Sequence, residues 1–142
     1  MQLEPAELLE RIAEGEGKRL EFKRGLPGDA KVARTLGAFA NTRGGLLLIG
    51  VGDRGELVGA PRPRTTMAAL RRIACERLEP ELAVAVGSVV VERRTLVWCA
   101  VPVSPARPHA VVGDDGAREV VARVGASNRR ASGATLRAIQ AG

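Results

Sequence analysis

The spacing of apolar residues predicts four helices. Apolar side chains recur every three or four positions in residues 5–15, 27–42, 65–78 and 131–140, which is the period of a helix with one buried face. Pro5 stands at a first helical position and Gly15 ends the first helix, while Asp29 near the start of the second is favoured by the helix dipole. Asn41 and the glycines after it permit the left-handed backbone that ends the second helix.

Strands are predicted between these helices. KRLEFK (18–23) alternates apolar and charged residues as a half-buried strand does, whereas LLLIGV (46–51) is almost wholly apolar, which is typical of a central strand. ELVG (56–59) is expected to be a short partner of that central strand. Further strands are expected at 83–92, 94–103 and 118–125, the first two forming a hairpin at Glu92–Arg94. The pattern predicts an α+β fold, with a mixed sheet flanked by about four helices.

Length and composition predict one globular domain spanning residues 1–142, because 142 residues with 45% apolar side chains suffice for one core but not two. No apolar run approaches the ~20 residues of a membrane span. The N-terminus is acidic, unlike a signal peptide, so a cytoplasmic protein with no membrane partner is expected. Cys75 and Cys99 lack metal-binding or redox spacing and are expected to be buried, reduced thiols.

The charge balance favours a polyanionic partner. The chain carries 22 Lys and Arg against 16 Asp and Glu, a formal net charge of +6, and most of its cations are Arg, which suits bidentate phosphate contact. An alternative is that the arginine content reflects the base composition of the genome. The chain has no Tyr, two Phe and one Trp, which argues against base stacking and favours contacts with phosphates and shape.

Residues 50–55 match the dinucleotide-binding pattern G-x-G-x-x-G letter for letter. That site requires the third glycine to open a helix, whose N-terminus holds the pyrophosphate. Here Gly55 is followed by a strand-like segment and by Pro61 and Pro63, and no Walker loop occurs. We therefore expect neither NAD nor ATP as a cofactor, and interpret Gly52 and Gly55 as turn residues that project Asp53 from the end of a strand.

Three acids could converge near that turn. If strand 18–23 pairs with strand 46–51, Glu16, Glu21 and Asp53 approach one another, and converging carboxylates bind Mg²⁺ or Mn²⁺. Lys23 shares a face with Glu21 and could stabilise a phosphate oxygen. The alternative is that the two glutamates and Lys23 form a solvated strand face, and that Asp53 is an ordinary turn acid.

Three blocks of the sequence together resemble one family. EGKRLEFKRGL, GAFANTRGGLLLIGVGDRGELVG and VVARVGASNRRAS look like successive signatures of the Schlafen AlbA-type domain, which is widely described as DNA-binding and was once labelled a divergent AAA-like domain. The similarity covers about residues 16–131 in the order found in the family. It implies a compact α+β fold of the kind found in prokaryotic Schlafen-like proteins.

The resemblance also implies an activity and its residues. Several Schlafen proteins are metal-dependent endoribonucleases acting on tRNA and related structured RNA, and their acidic positions fall on Glu16, Glu21 and Asp53. These three would ligate Mg²⁺ or Mn²⁺, with Lys23 beside the scissile phosphate. The position before Asp53, often another Asp in the family, is Gly52 here. Phosphate contacts are expected from two clusters: Arg71, Arg72 and Arg77, and Arg123, Ser127, Asn128, Arg129 and Arg130.

Two function classes therefore remain open. The first is a metal-dependent endoribonuclease that cleaves tRNA or other structured RNA, and the second is a non-catalytic DNA-binding or regulatory module. For the arginine clusters, a solvated helix face is the alternative to phosphate binding. The resemblance also implies a possible homodimer, because Schlafen proteins form a cleft from two lobes, this chain offers one, and a second copy would be needed to rebuild that cleft. The sole histidine, His109, is interpreted as structural.

Overall fold

Residues 2–141 are described by a computed structural model, and they form four helices and eight strands. The helices are α1 (Pro5–Glu14), α2 (Asp29–Asn41), α3 (Pro63–Glu76) and α4 (Gly133–Ala141). The strands are β1 (Leu20–Lys23), β2 (Gly45–Ile49), β3 (Leu78–Glu79), β4 (Ala85–Val91), β5 (Arg94–Val101), β6 (Ala110–Val112), β7 (Arg118–Val124) and β8 (Ser127–Arg130). The predicted α+β class, with mixed strand directions and four helices, is confirmed.

The strands form two four-stranded sheets. The first has the order β1-β2-β5-β4, with β1 parallel to β2 and the other pairs antiparallel. The second has the order β3-β6-β7-β8 and is antiparallel throughout. The strands β3, β6 and β8 were not predicted, because segments of two to four residues are too short to show a strand period. The expected strand ELVG forms only an isolated bridge between Val51 and Leu57.

The way the layers pack explains why helix α2 is almost wholly buried. The central strand β2 turns Leu46 and Leu48 towards α1, whereas Leu47 and Ile49 face the opposite side, where α2 and α3 pack. The same core includes Val111 of β6 and Val121 of β7, so α2 lies between the two sheets. The other face of β7 is covered by α4 through a small cluster containing Ala122 and Ile139.

The two thiols differ in environment. Both cysteines are free, but only Cys99 is buried, and burial raises its thiol pKa to about 12. Cys75 is exposed on α3 and hydrogen-bonds to the Glu81 carboxylate, which raises the pKa of the Cys75 thiol. The expectation that both are buried is corrected for Cys75, which lies on the outer face of an amphipathic helix. From Gln2 to Ala141, no helix combines the length and the apolar character needed to span a membrane.

Candidate nucleic-acid interface

The glycine-rich loop after β2 forms a tight turn. The N–H of Gly55 donates to the carbonyl oxygen of Gly52 at 2.9 Å, and Gly55 has a φ of +84°, which favours glycine. Gly50 has a φ of +103°, and a Cβ there would lie 2.8 Å from the backbone of Gly59. No helix begins until Pro63, so the feature that makes this pattern a pyrophosphate site is missing, as the sequence predicts. The turn leaves Asp53 exposed beyond the strand.

Glu21 lies in the interior between the two sheets. As predicted, it points away from Leu20 and Phe22, but that face of β1 is covered by α2 and β7, so its side chain is only 7% exposed. Its Oε1 accepts a hydrogen bond from Nη1 of Arg123 at 2.6 Å, and its Oε2 accepts one from the Thr35 hydroxyl at 2.8 Å. The carboxylate is therefore neutralised and bonded by the protein itself, so Glu21 does not belong to the solvated strand face expected as the alternative.

Arg123 is the partner that holds this carboxylate, and its side chain is fully buried. Its guanidinium donates to the carbonyl oxygens of Gly17 and Leu20 and to Oδ1 of Asn128, and it lies 4.9 Å from the centroid of the Phe39 ring. All three sequence blocks of the family resemblance contribute to these contacts. The prediction that Arg123 reaches nucleic-acid phosphates is corrected, because none of its side chain is accessible to a ligand.

The other two acids have separate environments. Glu16 is exposed and its Oε2 accepts the backbone N–H of Phe22 at 2.8 Å, which fixes the start of β1, while Asp53 extends from the glycine turn. Lys23 Nζ lies 3.7 Å from Oε2 of Glu21. Within residues 2–141, no group of three or more His, Cys, Asp or Glu side chains could hold one metal ion. These residues do not fit a shared metal, and their catalytic assignment stays a prediction.

Besides Arg123, two more of the arginines predicted to bind phosphates are paired with carboxylates. Arg72 on α3 makes a two-point contact with Asp29 at the start of α2, at 2.7 and 3.0 Å. This contact lowers the pKa of the Asp29 carboxyl and raises that of Arg72. Arg77 lies 2.6 Å from Asp114 and 3.5 Å from Asp29. Both side chains connect elements of the fold, which makes them weaker candidates for a phosphate site.

The remaining residues predicted to contact phosphates differ in their exposure to solvent. Asn128 is held inside the Arg123 network, where its amide also donates to the Thr35 hydroxyl at 3.0 Å. Ser127, Arg129 and Arg130 are exposed along the edge strand β8, and Arg71 is exposed on α3. Among the described residues these three arginines form no salt bridge, so their assignment as phosphate contacts stays a prediction.

A second group of cations, which sequence reasoning missed, surrounds two adjoining pockets. Arg11, Lys18 and Arg19 line a pocket of about 510 Å³, and Lys18 also lines one of about 400 Å³ together with Arg43 and Arg107. We call these five residues the basic rim. Across residues 2–141 none of the five takes part in a salt bridge, and Glu14 is the only carboxylate lining either pocket. Lys18, Arg19 and Arg43 lie within the sequence blocks that resemble the family, and this was the signal by which sequence reasoning could have found the basic rim.

His109 has a structural environment, as the sequence interpretation expects. It is buried, its backbone N–H donates to Oδ1 of Asn41 at 2.8 Å, and its ring nitrogens contact the Pro80 carbonyl oxygen and the Ser104 hydroxyl. The Asn41 amide in turn donates to the carbonyl oxygens of His109 and Val121. This network joins the end of α2 to the second sheet. The His109 ring is turned away from the surface.

Two solved structures resemble the fold. The N-terminal domain of a RecG-related protein from Nitrosomonas europaea, named for an ATP-dependent DNA helicase, has a TM-score of 0.63 and 25% identity, covering 93% of this chain and 92% of that one. The DIP2311 protein from Corynebacterium diphtheriae has a TM-score of 0.61 and 21% identity over 89% of this chain, which shows the fold alone. This chain spans only 25% of the DIP2311 protein's length.

The chain matches one sequence family over most of its length. No curated protein matches the chain. The sequence model described as Schlafen, AlbA_2 matches residues 16–132, the region that contains the Glu21–Arg123 network, the glycine turn and four of the five rim cations. This match, which covers more than half of the sequence, shows that the chain belongs to the Schlafen AlbA_2 family.

Proposed function

We propose that this chain binds RNA or DNA by contacting backbone phosphates with the basic rim. The observation that carries the proposal is a contrast in charge pairing between two groups of cations. Arg34, Arg72, Arg77 and Arg118 are each neutralised by a nearby carboxylate, whereas the five rim cations form no salt bridge among residues 2–141. Unpaired arginines and lysines around a concave surface offer phosphates a site without the cost of breaking an existing ion pair.

Two further facts support a phosphate-directed mode. The chain has a formal net charge of +6, and its few aromatic residues are buried, as Phe22, Phe39 and Trp98 are each at most 5% exposed. Bases therefore have no aromatic platform on which to stack, and recognition would rest on backbone and shape. A nucleic-acid partner also agrees with the family match and with the helicase name of the Nitrosomonas europaea neighbour.

The test is binding of labelled tRNA and of duplex DNA, followed by fluorescence anisotropy at several salt concentrations. We expect affinity to fall steeply between about 50 and 200 mM salt, because bound phosphates release condensed counterions. The variant Lys18→Gln/Arg19→Gln/Arg43→Gln should lose about tenfold or more in affinity and show a shallower salt dependence. Arg62→Gln/Arg64→Gln/Arg93→Gln is the matched control, since it removes the same charge from exposed positions outside the basic rim.

The two triple variants distinguish binding driven by net charge from binding at the basic rim. Equal losses in the two triple variants would mean that net charge alone drives binding, and the proposed surface would be abandoned. Salt-independent binding, or none to either nucleic acid, would contradict the proposal. A preference for tRNA over duplex DNA would select RNA as the partner class.

The metal-dependent endoribonuclease is the finer alternative, and it rests on the three acids at family-matched positions. Against it, Glu21 is already bonded to Arg123 and Thr35, so we derive no metal-assisted step from these residues. Incubation of tRNA with the protein and either Mn²⁺ or EDTA tests the activity directly. Asp53→Asn is the informative variant because Asp53 is exposed in a turn, whereas Glu21→Gln would also disturb the core.

Metal-dependent cleavage that disappears in Asp53→Asn while tRNA binding persists would establish the enzyme. Binding without cleavage in any metal would leave the non-catalytic module as the function. A homodimer would bring two basic rims onto one assembly, which is the arrangement expected from the two-lobed relatives.

A further inference from the structure

The smaller of the two basic pockets has the features of a site for one phosphorylated nucleotide. It lies between the end of α2, the end of β7 and the helix α4, and its volume is about 400 Å³, within the ~300–1,000 Å³ range of small-ligand sites. We call it the α4 pocket. It was not predicted from the sequence, and it is distinct from the acidic residues discussed above.

The charged side of the α4 pocket is suited to a dianion. Lys18, Arg43 and Arg107 line it, and its lining contains no carboxylate. Arg123 also lines it, but all its donors are used within the protein and Glu21 balances its charge. A terminal phosphate monoester carries about −1.5 to −2 charge at neutral pH and three acceptor oxygens, more than a diester within a strand. Three unneutralised cations therefore favour a strand end or a free nucleotide over an internal phosphate.

The pocket also has an apolar part to its lining, which contains no aromatic residue. Ala122 of β7 and Ala138 and Ile139 of α4 form this apolar wall, and Thr42 and Thr135 are also among the lining residues. Thr135, Ala138 and Ile139 are three and four positions apart, so they share one face of α4. A nucleoside could pack against this wall by van der Waals contact while its phosphate meets the cations.

The helix that forms this wall is held by few apolar contacts. Only Leu136 and Ile139 of α4 pack into the small cluster with Val120, Ala122 and Ala131. Elements with little buried apolar surface open more readily than the core. A ligand that touches both α4 and the cations of the pocket would bind only the closed arrangement, and would therefore protect α4 from opening.

We propose that the α4 pocket binds a nucleoside monophosphate, either free or as the phosphorylated terminal nucleotide of a strand. For the terminal nucleotide of a strand, this inference rests on the proposed function, and it adds a specificity for phosphorylated strand ends to nucleic-acid binding. Binding should require both the phosphate and the nucleoside, because each is recognised by a different wall.

The first experiment titrates the full chain with adenosine 5′-monophosphate, uridine 5′-monophosphate, adenosine and inorganic phosphate by isothermal calorimetry. Saturable binding is expected for the two nucleotides and at least tenfold weaker binding for adenosine and phosphate. Lys18→Gln/Arg43→Gln should weaken nucleotide binding at least tenfold, whereas Arg64→Gln/Arg93→Gln, which removes the same charge elsewhere, should leave it unchanged. Ala138→Trp should abolish binding by filling the pocket without altering charge, since Ala138 is exposed on α4. Hydrogen exchange in residues 133–141 should slow when nucleotide is bound.

A second arm uses single strands of one sequence with a 5′-phosphate, a 3′-phosphate or two free hydroxyl ends, and a long circular strand without ends. If strands with one of the phosphorylated ends bind more tightly and Ala138→Trp abolishes that difference, the pocket binds the terminal nucleotide of a strand. If nucleotides bind but the four strands show no preference for a phosphorylated end, the pocket is a site for free nucleotides. Equal affinity for all strands together with no nucleotide binding overturns the pocket but leaves phosphate-backbone binding intact. Nucleotide binding without any strand binding contradicts the proposed function and retains the pocket. Unchanged nucleotide binding in Ala138→Trp would overturn the assignment of this site.

Discussion

The pair Glu21 and Arg123 shows how one contact changes the meaning of a motif. Both residues belong to the sequence blocks that mark the family, and both are charged, which suggested a solvent-facing catalytic or phosphate-binding role. They lie between the two sheets at 2.6 Å, with every donor and acceptor of the pair bonded to the protein. Burying two charges is costly, and the cost is offset only when the pair and its hydrogen bonds are complete. Their first role is therefore to hold the two sheets together.

We predict that Glu21→Gln lowers the free energy of unfolding by about 3–5 kcal/mol, because it leaves the buried Arg123 cation without its counter-charge. Urea denaturation at neutral pH measures the change, with Glu10→Gln on the exposed face of α1 as the control. Glu21→Leu/Arg123→Met should recover much of the loss, since it removes both charges together. A change below about 1 kcal/mol in Glu21→Gln would show that the pair does not stabilise the fold.

At the level of elements, ion pairs between separate elements account for Arg72 and Arg77, which sequence reasoning assigned to phosphate binding. Asp29 begins α2, and its carboxylate meets Arg72 of α3 directly and Arg77 just beyond it. Arg118 of β7 and Glu79 of β3 form a similar pair in the second sheet, and the pKa of the Glu79 carboxyl is lowered by that contact. Because the partners are far apart in the sequence, no local pattern distinguished these arginines from the unpaired ones.

Asp29 gives a prediction about pH. Arg72 holds the folded-state pKa of Asp29 below its ordinary value of 3.8, so the pair stabilises the folded protein above that pH and loses this effect as pH falls through the lower folded pKa. Asp29→Asn should therefore lower the Tm slightly at neutral pH, and the difference from the unmodified chain should vanish once the pH falls below the lowered folded-state pKa of Asp29. Thermal unfolding followed by circular dichroism measures the Tm difference at neutral pH and its loss at low pH. The effect should shrink in high salt because the pair is solvent-exposed, and a difference that persists at low pH would contradict this account.

At the level of the whole molecule, the outer edge of the first sheet is a second surface to consider. Strand β4 is an edge strand of seven residues without a charged residue or proline, the usual features that prevent edges from pairing. Val90 is 61% exposed on it, the largest value among the exposed bulky apolar residues. A second copy is a suitable occupant because an antiparallel edge is complementary to itself about a two-fold axis, and pairing would continue one sheet across both copies.

We predict that the protein forms a homodimer through β4 and that Val90→Lys shifts it to the monomer, because a lysine on an edge strand disfavours pairing with another edge. Light scattering after gel filtration, over a range of protein concentrations, measures the mass. Val103→Lys is the matched control, since Val103 is 43% exposed and lies outside the strand. A monomer at all concentrations, or a dimer unaffected by Val90→Lys, would exclude this interface.

The sequence by itself determined the α+β class, the four helices and the longer strands, because hydrophobic periodicity and glycine and proline signals act over a few neighbouring residues. It also predicted that the glycine-rich loop lacks the helix of a dinucleotide site, since prolines follow it directly. Only the tertiary structure decided which charges are available to a ligand. Glu21 and Arg123 are 102 positions apart, and Lys18, Arg43 and Arg107 come from three separate connecting segments to line one pocket. Charge pairing depends on such distant contacts, so local patterns could identify the charged residues but not their roles.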